Sequence, residues 1–270
     1  MFIRVLEASA ALLEEPESRQ KIDDFLKEHP VLYPSHGTYG EGRKAVPEYP
    51  SCGTIGEGKK AVPGDTSSPL RKERFLAQWL LAELMEDSHI QPLPPGNKIR
   101  VFRTPEGRPF LPDFPGLCIS ISHSGNYAAV GIADGKIGLD IQQIRPVMPA
   151  LSDGRFFPPR DRELLSACKT AVEKESLFFR IWTVREAYLK YTGAGLAGGL
   201  DSFEIDFGTG TIFPGKNGSG LSFPENSASG LSLPSACSFC ELSPPEPGYR
   251  LSIVSGDAQM KPSLSLIRSI

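Results

Sequence analysis

Three ionisable residues in this sequence are spaced so that they can act together. In the alternating stretch 136–142, Ile137, Leu139 and Ile141 fall on one face of a strand, and Asp140 and Gln142 on the other. A carboxylate therefore projects from a strand whose opposite face is apolar. Glu186 and Lys190 are four apart in a segment of helical character, with Trp182 and Phe179 one and two turns back on the same side. Carboxylates ligate hard cations and accept protons, and an ammonium steadies negative charge. Each residue also has an ordinary reading. Glu186 and Lys190 make an exposed helical ion pair worth about 0.2–0.5 kcal/mol, Asp140 ends a strand in solvent, and His123 is a turn residue. Spacing alone does not choose between the two.

The elements that must position these residues are legible around them. Pro69 follows Ser67 and Ser68 at a first helical position, and Leu76, Leu80 and Leu84 recur every four residues, which predicts a helix over 69–86. Arg71, Lys72 and Arg74 crowd its first turn, where the macrodipole disfavours cations and an anionic partner would offset the cost. Residues 117–141 read as an antiparallel meander, with turns at His123-Ser124-Gly125-Asn126 and Asp134-Gly135. A short helix near 160–170 follows Pro158-Pro159, and a longer one covers about 174–192, ended by Gly193 and Gly195. Alternation at Phe203, Ile205 and Phe207, then at Leu251 and Ile253, adds strands. The fold class expected is α+β in both halves, divided into 1–135 and 136–270.

Two stretches read as loop insertions, near 35–66 and near 208–235. The first repeats residues 37–47 at 53–63 with few changes, and the second repeats Ser-Gly-Leu-Ser-Phe-Pro (219–224) at 229–234. Two copies are too few for a stacked repeat architecture. Their Gly-Glu-Gly and Gly-Lys-Lys runs lack both the full phosphate-loop pattern and a preceding apolar strand.

Composition narrows the function classes. Of 270 residues, 40% are hydrophobic and 23% charged, ordinary globular usage. Twenty-nine basic against 32 acidic side chains give a net charge of −3, without the footprint of a non-specific nucleic-acid binder. No apolar run is long enough to span a bilayer, and Glu7 interrupts any signal-peptide core. Five scattered cysteines argue against a disulfide framework and fit a cytoplasmic chain. Cys237 and Cys240 form a lone C-x-x-C, short of the four ligands zinc requires.

An ordered string then changes the weight of the isolated signals. Gly107-Arg108-Pro109, Ile119-Ser120-Ile121-Ser122-His123-Ser124, Ile137-Gly138-Leu139-Asp140-Ile141, Arg155-Phe156-Phe157, Trp182 to Lys190 and Gly193-Ala194-Gly195-Leu196 occur in this order. The series resembles the signature of the Sfp-type 4′-phosphopantetheinyl transferases, from about residue 70 to 207 and again over 249–255. The resemblance implies a pseudo-dimer of two similar α+β halves, with coenzyme A and Mg²⁺ in the cleft between them. It implies transfer of the 4′-phosphopantetheine arm to a serine of an apo acyl or peptidyl carrier protein, by a monomer, with release of adenosine 3′,5′-bisphosphate.

By resemblance, Asp140 and Glu186 are the Mg²⁺ carboxylates, Lys190 lies near the pyrophosphate, and Glu186 is the candidate base. Arg108, Ser122 and His123 are implied contacts to the nucleotide phosphates, with Arg74, and less directly Arg71 or Arg103, as a further cation. Gln142 stands where the family often has a second acidic residue, so its amide would meet the metal directly or through water. Arg185, where the family commonly has lysine, keeps the positive charge. The competing reading is a non-catalytic coenzyme A or carrier-protein binding module.

Overall fold

The computed structural model describes residues 3–9, 14–29, 31–32, 69–87, 98–104, 107–147, 156–214, 236–243, 246–257 and 262–267. Both internal repeats, Arg155, and the side chains of Arg71 and Arg74 lie outside the described residues.

In chain order the elements begin with β1 (Ile3–Ser9), α1 (Pro16–Glu28), β2 (Val31–Leu32), α2 (Pro69–Asp87), β3 (Ile99–Arg100), β4 (Phe102–Arg103) and β5 (Pro109–Phe110). The centre of the chain supplies β6 (Cys118–Ser124), β7 (Tyr127–Ala133), β8 (Ile137–Gln143), α3 (Pro159–Ser166) and α4 (Ala171–Thr192). A 3₁₀ turn at Leu196–Gly198 precedes β9 (Phe203–Asp206), β10 (Thr211–Pro214), β11 (Cys237–Leu242), β12 (Tyr249–Ser255) and β13 (Ser263–Ile267).

These elements form an α+β fold of two halves. The first is a sheet in the order β13-β1-β7-β6 backed by α2, and the second a sheet in the order β8-β12-β11-β10-β9 backed by α4. Alternation assigns each strand's faces. On β7, Ala128, Val130 and Ile132 pack with Leu76, Leu80 and Leu84 of α2, while Tyr127, Ala129 and Ala133 turn to Ile137, Leu139 and Ile141 of β8. The apolar face of β8 thus forms a core between the halves, and its opposite face is left to meet α4.

Three sequence expectations change. The predicted meander is a β6–β7 hairpin only, because β8 leaves it after Asp134-Gly135 and pairs antiparallel with β12. Turning β8 away lets its apolar face cover β7 while its free edge meets β6 through side chains. Residues 208–214, expected within the second insertion, are a turn followed by β10, which pairs with both β9 and β11. Strand β13, near the C-terminal end of the chain, runs parallel to β1 and so joins the sheet of the first half.

Helix α4 has explicit ends. Thr170 accepts a hydrogen bond from the Glu173 amide at 3.1 Å, and Glu173 accepts one from the Thr170 amide at 3.2 Å, a reciprocal capping box. Gly193 closes the helix at φ 79°, a left-handed conformation that glycine adopts without strain. Between these caps, α4 lies unusually close to β8. A Cβ on Gly138 would fall on the Ala187 carbonyl oxygen and 2.5 Å from the Tyr191 amide nitrogen. Glycine is required there, and it brings the chemistry-bearing faces of strand and helix together.

Candidate active site

The close approach of β8 and α4 places Asp140 opposite Glu186 and Lys190. Asp140 is 2% exposed, and its carboxylate accepts hydrogen bonds from Lys190, Ser122 and Gln142. Its Oδ1 accepts from the Lys190 ammonium at 2.8 Å and from the Ser122 hydroxyl at 2.7 Å. Its Oδ2 accepts from the Gln142 amide at 3.1 Å. Lys190 also donates to the Ile121 carbonyl at 3.4 Å, so one ammonium touches both halves of the molecule.

Glu186 lies one helical turn before Lys190, and its carboxyl is pushed up to about 7, first by burial and then by the Asp140 charge, against the opposing pull of Lys190. Burial and the Asp140 charge hold Glu186 back from ionising, and a cation placed between the two carboxylates would relieve that repulsion. Among the described residues no group of three or more His, Cys, Asp or Glu side chains forms a metal cage. Carboxylate oxygens are the donors Mg²⁺ takes, and two of them fall short of the four ligands zinc requires.

The other expected residues divide. Ser122 is 5% exposed and turned inward, its hydroxyl engaged by Asp140 and by the Ile141 amide at 3.2 Å. It lies beside the carboxylate of Asp140. His123 follows it on the exposed side of β6. Arg108 opens β5, and its Cδ lies 3.4 Å from the point where a Gly193 Cβ would sit, which puts it at the C-terminal end of α4. Arg108 is also near Lys136, whose ammonium is held below its ordinary pKa by burial and then by the Arg108 charge. Arg103 donates to the Gly107 carbonyl at 2.7 Å and pins the β4–β5 turn. Gln142 directs its amide nitrogen at Asp140 and accepts from Ser124 at 3.3 Å, so it orients the carboxylate.

Arg185 carries the expected positive charge in a buried setting. It is 0% exposed, and its guanidinium pairs with Asp161 of α3, with Nε 2.7 Å from Oδ2. It also donates to the carbonyls of Leu200 and Phe203 and lies over the Phe203 ring. Arginine's planar fork meets several fixed acceptors at once, which a lysine would not. The residue ties α3 and β9 onto α4.

Sequence reasoning passed over Ser120, Ser124 and Lys136. For the two serines the signal was present in the alternation of Ile119-Ser120-Ile121-Ser122-His123-Ser124, which puts three hydroxyls on one face of β6. Lys136 has no such marker.

Comparison with known proteins bears on the same segment. Residues 136–226 match the family model of the 4′-phosphopantetheinyl transferase superfamily. The chain is 34% identical over 105 residues to the 4′-phosphopantetheinyl transferase Sfp of Bacillus subtilis, covering 38% of this chain and 46% of that one. It is 41% identical over 104 residues to the 4′-phosphopantetheinyl transferase HetI of a Nostoc species, covering 37% and 43%. A 4′-phosphopantetheinyl transferase of Bacillus pumilus is 34% identical over 97 residues, covering 36% and 41%. In each case the match spans less than half the relative's length. The β8 strand that carries Asp140 and the α4 helix that carries Glu186 and Lys190 both lie in the stretch 136–226 that is similar to the 4′-phosphopantetheinyl transferase superfamily.

Proposed function

We propose that the chain transfers the 4′-phosphopantetheine group of coenzyme A to a serine of an apo carrier protein and releases adenosine 3′,5′-bisphosphate. The observation that carries this reading is the meeting of Asp140, Glu186 and Lys190 between β8 and α4, inside the segment that matches the family. Asp140 and Glu186 are the residues that would hold Mg²⁺. Bound there, the ion would supply charge stabilisation to the pyrophosphate and to the leaving nucleotide.

The remaining chemistry belongs to the chain's own side chains. Glu186, with its carboxyl near neutrality, is suited to take the proton of the attacking serine hydroxyl. Lys190 can turn from Asp140 towards phosphate oxygens, since its side chain is 31% exposed while the carboxylate it bonds is buried. Arg108, His123 and Arg74 are, by resemblance, the candidates for holding the nucleotide phosphates. No helix among the described residues is long and apolar enough to cross a membrane. The scattered cysteines, free at Cys118, Cys168, Cys237 and Cys240, support the reading of a cytoplasmic enzyme, and a monomer is proposed from the family resemblance.

The test is to incubate the protein with coenzyme A and Mg²⁺, with and without an apo carrier protein, and to follow adenosine 3′,5′-bisphosphate. Release that requires the carrier supports transfer. Release without a carrier indicates a hydrolase, and coenzyme A binding without release indicates a binding module.

A further inference from the structure

The two halves touch along β6 and β8, where the hydroxyls of Ser120, Ser122 and Ser124 accept hydrogen bonds from the amides of Leu139, Ile141 and Gln143 at 2.9, 3.2 and 3.1 Å. Amides on the edge of β8 gain partners in this way. At the end of this row β6 passes into the turn Ser124-Gly125-Asn126-Tyr127, and His123 is the residue just before it.

The outer side of the turn is exposed at His123, Gly125 and Asn126, but its underside rests on the other half. The Asn126 amide donates to the hydroxyl of Tyr249, on β12, at 3.1 Å. A Cβ on Gly125 would fall 2.5 Å from that same oxygen and 2.6 Å from Oε1 of Gln143, so the backbone of the turn lies directly on both side chains. Tyr127 closes the turn. Its hydroxyl donates to Glu246 at 3.0 Å, and its ring meets the Tyr249 ring edge-on at 4.8 Å.

Tyr249 is held firmly from its own side. It is 2% exposed, pairs with Gln143 in the β8–β12 ladder, and packs with Leu139 and Ile141 in the core between the halves. The ring belongs to that core, and the hydroxyl reaches out of it to the turn. A phenylalanine would fill the same core space without that reach.

We propose that Tyr249 is a positioning residue: its hydroxyl sets the place of the β6–β7 turn, and through the turn the place of His123 against a phosphate of coenzyme A. The proposal rests on the transferase reading, in which His123 is such a contact. Buried as it is, Tyr249 acts through the turn and not by touching the substrate.

The test measures the dissociation constant for coenzyme A by calorimetry with Mg²⁺ present, together with KM and kcat for transfer. The variants are Tyr249→Phe, His123→Ala and the two combined. Ile253→Val, which trims the same strand and the same core away from the turn, is the stability control. Tyr249→Phe should weaken binding and raise KM by roughly three- to tenfold, the scale of one neutral hydrogen bond, with kcat changed less than about twofold. In the His123→Ala background the same substitution should add less than about twofold, because both act through one group. Ile253→Val should melt lower with wild-type affinity. Gly125→Ala, which presses a methyl group against the Tyr249 hydroxyl and displaces the turn, should weaken binding in the same direction and serves if Tyr249→Phe folds poorly.

An active wild type in which His123→Ala weakens binding and neither Tyr249→Phe nor Gly125→Ala does would overturn this proposal alone. An equal loss from Tyr249→Phe with and without His123 would mean that the tyrosine acts elsewhere, and an equal loss in Ile253→Val would assign the effect to a loosened core. Either result overturns the proposal. Wild-type affinity in His123→Ala would overturn the phosphate role of His123 and the proposal with it. A wild type that binds coenzyme A without transfer would overturn the transferase reading itself.

Discussion

Asp140 and Glu186 are both carboxylates, yet the cleft treats them differently. Asp140 is surrounded by donors, while Glu186 is buried beside a like charge and rises to about 7 from 4.5. Folding therefore raises the proton affinity of Glu186, so between pH 4.5 and about 7 the folded chain holds more of this proton than the unfolded chain. The stability it contributes is complete at low pH and is lost as pH rises through that window in the metal-free protein. Glu186→Gln should flatten this part of a melting-temperature profile against pH, and an unchanged slope would contradict the assignment. Lys190→Ala should lower the transfer rate by about 10²–10³, the scale for losing one preorganised charge-stabilising group. A loss below about threefold would return Lys190 to a surface pair, since such pairs carry little energy. Strand and helix periods put each of the three side chains on a face, but it was the ordered series of motifs that grouped them. The bond of Ser122 to Asp140 was not legible, because Asp140 comes from a strand of the other half.

At the scale of elements, the site depends on how closely α4 can lie on β8. Gly138→Ala would drive a methyl group into the backbone at Ala187 and Tyr191, forcing helix and strand apart. The expected cost is about 1–3 kcal/mol or more in urea unfolding, with a larger fractional loss of transfer than of folded protein at low denaturant. Wild-type behaviour would mean that the close approach is not needed. The helix itself was readable from its apolar spacing and from Gly193, and its start lies slightly earlier than expected because the Thr170–Glu173 capping box sets it. Strand β8 was located correctly but paired wrongly. Asp134-Gly135 is a good hairpin sequence, and local turn chemistry does not reveal that the edge of β8 will be satisfied by serine hydroxyls.

Over the whole molecule, two sheets backed by one long helix each are joined through an apolar core and a row of serines, with Lys190 reaching across to Ile121. The α+β class followed from the mixture of periods along the chain. The parallel return of β13 to β1 did not, because no local pattern encodes which distant strand a terminal strand will choose. Arg185 illustrates the same limit, since its neighbours in sequence face the site while its own guanidinium is enclosed by Asp161, Leu200 and Phe203. The central claim is that this two-halved cleft moves a phosphopantetheine arm using Asp140 and Glu186. The most direct measurement is the intact mass of an apo carrier protein after incubation with coenzyme A, Mg²⁺ and either the wild-type chain or Asp140→Ala. The account predicts that the wild type adds one phosphopantetheine arm to the carrier serine and that the folded Asp140→Ala variant adds none. A carrier left unmodified by the wild type, or modified equally by both, would contradict it.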